Sequence, residues 1–430
     1  MRDPARRAPV PIAASPPDPA RRAALEIVEA ALARRGGLDE ALGRAAVTRL
    51  DARDRAFARA TAMATLRHLG PIDRLIDARL QREPPGEVRN MMRIGIAQAF
   101  WLDQPDYAAV AATVELAPQR LRGLVNAILR GALRDGPPDE RPDDLAPPWL
   151  LARWRQAFGE TRADAVAALI VVEPAMDLTL KDPADTALVD DLEAVALGLG
   201  TLRTRRRGDV SGWPGYGEGR WWVQDAAAAI PARLLRAQPG QTALDLCAAP
   251  GGKTLQLAAA GATVTALDRS DRRLRRVVQG LQRTGLAAET LTADAGDWSD
   301  PRTFDAVLLD APCTATGTFR RNPDVLWNVR PGDVAALAQE QKRLLAAAAA
   351  RVKPGGRLIY SVCSLEPEEG EAQIAAFLAA HPEFEIDPIA SGEGGAPAPS
   401  VRPEGWLRIL PSDLEGGLDG FFVARLRRAV

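Results

Sequence analysis

Apolar positions change their period partway along this chain. Near the N-terminus Leu25, Val28 and Leu32 recur at helical spacing. Asp18-Pro19 in front of them supplies an N-cap and a proline at the first helical position, and Gly36-Gly37 marks the expected end of that helix. Leu121, Leu124, Val125, Ile128 and Leu129 keep the i, i+3, i+4, i+7, i+8 spacing more strictly, so the N-terminal segment reads as all-helical. Gly136 to Pro148 holds five prolines among acidic residues, the composition of a linker. Trp149–Leu169 is predicted helical, and a mixed segment follows to about Tyr216. From about Trp221 short apolar strands alternate with helical stretches. Strands are predicted at Thr242–Leu246, Thr263–Leu267, Glu289–Ala293, Phe304–Leu309, Arg357–Val362 and Phe421–Leu426, with helices such as Lys253–Ala260 and Asp271–Thr284 between the earlier ones. This alternation predicts an α/β fold with a doubly wound, mostly parallel sheet. The expected division is a disordered leader at 1–17, an all-α domain at 18–135, a Pro-rich linker at 136–148, a small mixed α/β subdomain at 149–220, and an α/β domain at 221–430.

Composition narrows the partners. At 430 residues the chain has room for two or three domains, and no run approaches the roughly 18–20 apolar residues of a membrane span. The Pro-, Ala- and Arg-rich N-terminus lacks the apolar core of a signal peptide, so a cytoplasmic protein without a membrane partner is expected. Formal net charge is −1, so any surface for a polyanion must be a local patch. Arg120, Arg122 and Arg130, and the run Arg203, Arg205, Arg206, Arg207, are such patches; each reads either as a solvated face or as a phosphate contact. Three cysteines, Cys247, Cys313 and Cys363, are too few and too far apart for a disulfide framework or a zinc knuckle. With only His68 and His381 beside them, metal catalysis is not expected. The cysteines are core filler, or one is a nucleophile.

The first predicted strand runs into Asp245-Leu-Cys-Ala-Ala-Pro-Gly-Gly-Lys-Thr254. A strand, a small-residue loop and a helix start make a nucleotide-type turn, in which Gly251 and Gly252 allow the backbone close to a ligand. The loop fits neither GxxxxGK[ST] nor GxGxxG. Asp268 ends the second strand, where a carboxylate can accept from ribose hydroxyls, and Asp294 closes the third, where it can meet an adenine edge. Acids at successive strand ends suit a ribose and a neutral adenine better than a diphosphate, which points to S-adenosylmethionine over NAD or ATP. Lys253 either reaches this crevice or is solvated on its helix, and Cys247 needs no role beyond packing.

The fourth strand delivers Asp310-Ala-Pro-Cys313 and the next delivers Tyr360-Ser-Val-Cys363-Ser364. Ligands of open α/β sheets bind outside the strand C-termini, so both cysteines should face the cofactor. Carbon 5 of a pyrimidine is a poor nucleophile; a thiolate added at C6 turns it into an enamine-like centre that can attack a methyl sulfonium. Asp310 can serve the Watson–Crick edge of such a ring, and the second cysteine can assist release. Arg320-Arg321 follows the cysteine loop and is placed for phosphates near the target base.

These residues resemble the RsmB/Sun group of RNA cytosine-5 methyltransferases. Asp245–Thr254, Asp310–Cys313 with Ala315-Thr-Gly317, Arg320–Asp324 and Cys363–Glu368 are similar to its successive motifs, and Val223-Gln-Asp225 and Asp419–Ala424 extend the match from Trp149 to the C-terminus. Asp51–Arg55 and Val125–Arg130 are similar to a NusB-like RNA-binding domain. The resemblance implies a Rossmann-like methyltransferase domain preceded by a NusB-like domain, with S-adenosylmethionine as cofactor. It implies Cys363 as nucleophile and Cys313 in product release, an order the residues alone leave open because DNA cytosine-5 enzymes use the Pro-Cys cysteine. It also implies that Cys247, Ala248, Ala249, Pro250, Gly251, Gly252, Lys253, Asp268, Asp294 and Asp310 line the cofactor and target pocket. The sequence departs from the group at Val362, where threonine is usual, at Thr314, where serine is usual, and at Leu178–Asp182, which lacks Arg-Val-Asn. The expected partner is RNA, small-subunit ribosomal RNA by this domain pairing, acted on by a monomer. A transfer RNA or another RNA is the alternative substrate, and a non-catalytic RNA-binding assembly factor the alternative class.

Overall fold

A computed structural model of the chain describes residues 18–33 and 37–430; the expected leader at 1–17 lies outside them. The chain divides into two compact units, Met1–Glu140 and Arg141–Val430.

The described part of the first unit is helical. Its first helix, Pro19–Leu32, starts as its sequence dictates: the Asp18 carboxylate accepts from the Ala20 amide at 2.9 Å and Pro19 opens the helix. Of the expected stop, Gly36 lies outside the described residues and Gly37 opens the next helix, Gly37–Leu42. The helix Gly86–Trp101 buries Val88, Met91, Met92, Ile94, Ile96 and Ala97, on more than one side, and packs against Pro19–Leu32, Ala52–Arg67 and Arg122–Asp135. Arg122–Asp135 buries Val125, Ile128 and Leu129, the stripe its spacing predicts. Of its arginines, Arg122 donates to the carbonyls of Glu115 and Ala117, and Arg130 to Asn126.

In the second unit the expected helix Trp149–Leu169 is two, Pro148–Phe158 and Glu160–Ala168, broken at Gly159 with φ 82°. A four-stranded antiparallel sheet follows: β1 (Met176–Leu180), β2 (Ala194–Gly198), β3 (Thr201–Thr204) and β4 (Trp221–Val223), in the order β2-β3-β1-β4. The basic run divides here: Arg203 on β3 clamps Asp177 of β1 through two bonds of 2.7 and 2.8 Å, Arg206 donates to the Asp191 carbonyl, and Arg207 pairs with Glu173.

The large sheet comprises β5 (Thr242–Leu246), β6 (Thr263–Asp268), β7 (Glu289–Thr292), β8 (Phe304–Asp310), β9 (Val352–Val362), β10 (Phe384–Ile386), β11 (Leu407–Ile409) and β12 (Phe421–Arg428). Its order is β10-β12-β9-β8-β5-β6-β7, with β11 on β12. Strands β9, β8, β5, β6 and β7 are parallel, and β12 runs antiparallel to β9. This is the doubly wound, mostly parallel sheet that the alternation predicts. From β5 the chain winds outward to β6 and β7, then returns to add β8 on the other side, so the crevice lies beyond the C-terminal ends of β5 and β8. Strand β5 is central, and Ala243, Leu244, Asp245 and Leu246 are enclosed on both faces.

The structure corrects the linker. Pro142–Leu145 is a short helix, Pro142 and Pro148 each open a helix, and Leu145 and Ala146 are 1 % exposed in a core with Leu150, Trp154, Phe319 and Leu365. Two of the five prolines that looked like linker punctuation are helix starts, and residues 141–148 belong to the second unit. Leu145→Ala should therefore cost that unit about 2–5 kcal/mol of unfolding free energy in urea titration; a loss below about 0.5 kcal/mol, the surface range, would restore the linker reading.

Candidate active site

The loop after β5 is drawn tightly over the sheet ends. Ala248 N–H donates to the Leu267 carbonyl at 3.0 Å, and Ala249 N–H to Asp268 Oδ2 at 3.1 Å. Asp268 Oδ1 accepts from Ser270 N–H at 2.9 Å, and Arg273 donates to the Ala249 carbonyl at 2.7 Å. Asp268, 2 % exposed, thus holds the loop as well as ending its strand. Cys247 sits at φ 61° and Gly251 at φ 111°; a Cβ on Gly251 would stand 3.1 Å from Val277 Cα, so the loop and the helix Asp271–Thr284 approach as closely as glycine permits. The loop closes into the helix Gly252–Ala259, which carries Lys253. Burial pushes the Cys247 thiol up to about 12, with Asp268, Asp310 and Asp245 adding to it, in keeping with a packing role. Asp245, beneath the loop, is fully enclosed and bonded to Thr254 at 2.6 Å; burial raises its carboxyl to about 7.

At the end of β8, Asp310 binds on both sides. Its Oδ2 accepts from Lys253 Nζ at 2.7 Å and its Oδ1 from Ser361 Oγ at 2.8 Å. The Lys253 ammonium also lies 5.4 Å from the centroid of the Phe421 ring. Of the two readings of Lys253, the structure takes the crevice: the side chain is 10 % exposed. Strands β8 and β9 run in parallel register with Asp310 opposite Ser361. Their continuations bring Cys313 Sγ within 3.5 Å of Cys363 Sγ, both residues half-buried. The Cys313 thiol is held well above the usual range, first by its hydrogen bond to Cys363, then by burial, then by the charges of Cys363 and Glu369. Gly317 fastens its loop to the chain entering β12: its carbonyl accepts from Gly420 N–H at 2.8 Å, and a Cβ there would fall 2.1 Å from the Gly420 oxygen.

Three expected site residues are placed differently. Asp294 accepts from Gly296 N–H at 2.8 Å and pairs with Arg343 at 2.7 Å, a cation on the distant helix Pro331–Ala349 that no local spacing reveals. Arg320, expected at phosphates, is 1 % exposed; it donates to the Gly416 carbonyl at 2.8 Å and lies 3.9 Å from Asp225. Arg321 is half-exposed and its guanidinium pairs with buried Asp419. Asp177 and Asp225 face the enclosed Arg203 and Arg320, while buried Asp419 reaches out to the half-exposed Arg321; burial pushes the Asp419 carboxyl up to about 6 against the pull of Arg321. A motif rich in arginine near a nucleophile suggests phosphate; the acid that pairs with Arg321 lies 98 residues away, which hides the pairing. Ser361 and Glu369 are site residues the sequence reading missed, Ser361 because a serine inside a strand carries no pattern of its own. Among the described residues no group of three or more His, Cys, Asp or Glu is arranged to hold a metal ion, and no helix is long and apolar enough to cross a membrane.

A parallel sheet with a glycine loop at its switch point, acids at strand ends and paired thiols beside them defines a methyltransferase fold joined to a separate helical unit. Comparison with known proteins agrees. Residues 232–427 match the family model described as 16S rRNA methyltransferase RsmB/F, and residues 18–134 match the NusB family. Ribosomal RNA small subunit methyltransferase B of Pseudomonas putida is 35% identical, covering 94% of this chain and 98% of its own. The protein of that name from Xanthomonas campestris pv. campestris is 38% identical over 88% and 90%. The crystal structure of PH0851 superimposes with a TM-score of 0.77 at 25% identity, covering 96% of this chain and 99% of that one. The chain belongs to the RsmB/F family of 16S rRNA methyltransferases, with a NusB-family domain at its N-terminus. Its cofactor is S-adenosylmethionine, and the observed loop fits that group: an enclosed carboxylate at the end of β6 and a backbone turn with no bulk at Gly251. Asp268→Ala removes the acceptor for the Ala249 amide along with any bond to the cofactor. It should weaken S-adenosylmethionine binding by roughly 1.5–3 kcal/mol in calorimetric titration; unaltered affinity would assign cofactor recognition to another acid.

Proposed function

We propose that the chain methylates carbon 5 of a cytosine in RNA, small-subunit ribosomal RNA by its relatives, through a covalent bond between Cys363 and C6, acting as a monomer in the cytoplasm. The observation that carries this reading is the pair of sulfurs 3.5 Å apart beside an aspartate already paired with lysine. When bound, S-adenosylmethionine would supply an electrophilic methyl group, its sulfonium–methyl bond breaking as C5 takes the methyl and S-adenosylhomocysteine leaving. Cys363 Sγ adds to C6, and the electron pair of the C5–C6 double bond is pushed to C5, which takes the methyl group. Loss of the C5 proton to a base then lets the sulfur–carbon bond break and restores the double bond. The Asp310 carboxylate accepts from the exocyclic amino group of the base, and the Lys253 ammonium beside it offsets the charge that gathers on the ring as sulfur adds. Cys313, 3.5 Å away, donates to the departing Cys363 thiolate and so favours release. The NusB-family domain adds RNA affinity, through phosphate contacts that weaken as salt rises.

The two cysteine variants separate the steps. With labelled S-adenosylmethionine and ribosomal RNA, Cys363→Ala should transfer no methyl group and form no adduct. Cys313→Ala should attack and methylate but accumulate an RNA-bound protein that migrates slowly in a denaturing gel. The opposite pattern would exchange the two roles, and normal turnover in both variants would end the covalent reading. Bisulfite mapping of the product locates the cytosine; methylation confined to transfer RNA would replace the ribosomal substrate.

A further inference from the structure

Four glutamates follow the nucleophile loop, and three are spent on arginines. Glu366 bonds Arg153 at 2.7 Å and the Trp154 indole, Glu368 bonds Arg153 at 2.6 Å, and Glu371 clamps Arg408. Glu369 differs. It is fully buried and, among the described residues, has no lysine or arginine at ion-pair distance. Its carboxylate accepts from Thr314 N–H at 3.0 Å, from Gln341 Nε2 at 2.9 Å, and from the hydroxyls of Thr314 and Ser364. Thr314 is the residue after Cys313, and Ser364 the residue after Cys363. One carboxylate therefore tethers both cysteine loops by their next residues, and the Glu369 carbonyl accepts from the Tyr360 hydroxyl at 2.6 Å to anchor it to β9.

These contacts are one backbone N–H, one side-chain amide and two hydroxyls, and an ionised carboxylate can accept from all of them on its two oxygens. A buried carboxylate without a cation places negative charge against the back of the thiol pair. Thr314 N–H binds it directly, so the charge is felt first at Cys313, where a second negative charge is disfavoured. The direction found for the Cys313 thiol, upward with Glu369 among its causes, agrees.

We propose that Glu369 is a positioning residue for the thiol pair, holding the two sulfurs at bonding distance and keeping the proton on Cys313 so that Cys363 is the one that attacks. This rests on the covalent reading above. It ranks two cysteines that stand symmetrically at adjacent strand ends, and it does so by the charge behind them.

The test uses the full chain with S-adenosylmethionine and RNA. Glu369→Gln keeps the shape and, because the Thr314 and Ser364 hydroxyls can accept from its amide, keeps the tether while removing the charge. Cofactor affinity should be unchanged and KM for RNA should hold, while kcat falls roughly tenfold or more, the scale of a lost charged hydrogen bond. Iodoacetamide labelling without RNA, read by peptide mass spectrometry, should find Cys363 modified well ahead of Cys313 in the parent and that preference lost in Glu369→Gln. A folded Glu369→Gln with parental turnover and labelling preference would overturn the proposal. Should that variant fail to fold, Ser364→Ala decides: it cuts one tether and leaves the charge, so kcat should fall with the labelling preference intact, and unchanged kcat overturns the tether. Labelling needs no RNA. A shift of preference in Glu369→Gln alongside continued methylation by Cys363→Ala would keep the role of Glu369 and remove the covalent mechanism.

Discussion

The parallel pairing of β8 with β9 is the constraint on which the site depends. Asp310 stands opposite Ser361, and both strands end at the same level of the sheet. A cysteine three residues beyond one strand and a cysteine one residue beyond the other then meet, as their 3.5 Å sulfur separation shows. A slip of one residue in this register would turn the strand-end side chains to the other face and part the thiols. The pairing is held from several directions. Ser361 bonds Asp310, the Ala311 amide donates to the Ser361 carbonyl, the Gly317 amide donates to the Cys363 carbonyl, and β12 covers the far side of β9.

Around that seam the interior is heavily charged. Asp177, Asp225, Asp419, Arg203 and Arg320 are largely enclosed, and each carboxylate in the network is matched by a guanidinium or an amide. Removing one partner would leave the other charge buried and unpaired, the costly case. Glu369 is satisfied by hydrogen-bond donors alone, so its charge is solvated without being neutralised. The same burial that makes arginines structural makes this glutamate an electrostatic influence on its neighbours.

Much of the catalytic unit was legible in the sequence because its signals are local. The strands β5, β6 and β8 start where their apolar runs start, and the turn from Cys247 to Lys253 lies where a glycine pair after a strand places it. What escaped depends on distant partners or short segments. Strands β10 and β11, of three residues each, are too brief to show a period. Strand β9 begins at Val352, ahead of its expected start, through a Lys-Pro-Gly-Gly stretch that reads as a turn. Arg320 looks like a surface cation until Asp225 and Gly416 arrive from elsewhere in the chain. The prolines from Pro142 to Pro148 look like a linker until Leu145 is seen in a core built with Phe319 and Leu365.

The central claim is a covalent bond from one particular sulfur to the target ring. RNA carrying 5-fluorocytosine at the target position tests it most directly, because after methyl transfer the C5 fluorine cannot leave as a proton and the adduct cannot resolve. Peptide mass spectrometry of the trapped complex, formed with S-adenosylmethionine, should find the methylated nucleotide on Cys363. Recovery of the nucleotide on Cys313, or methylation and release without any trapped species, would contradict the account.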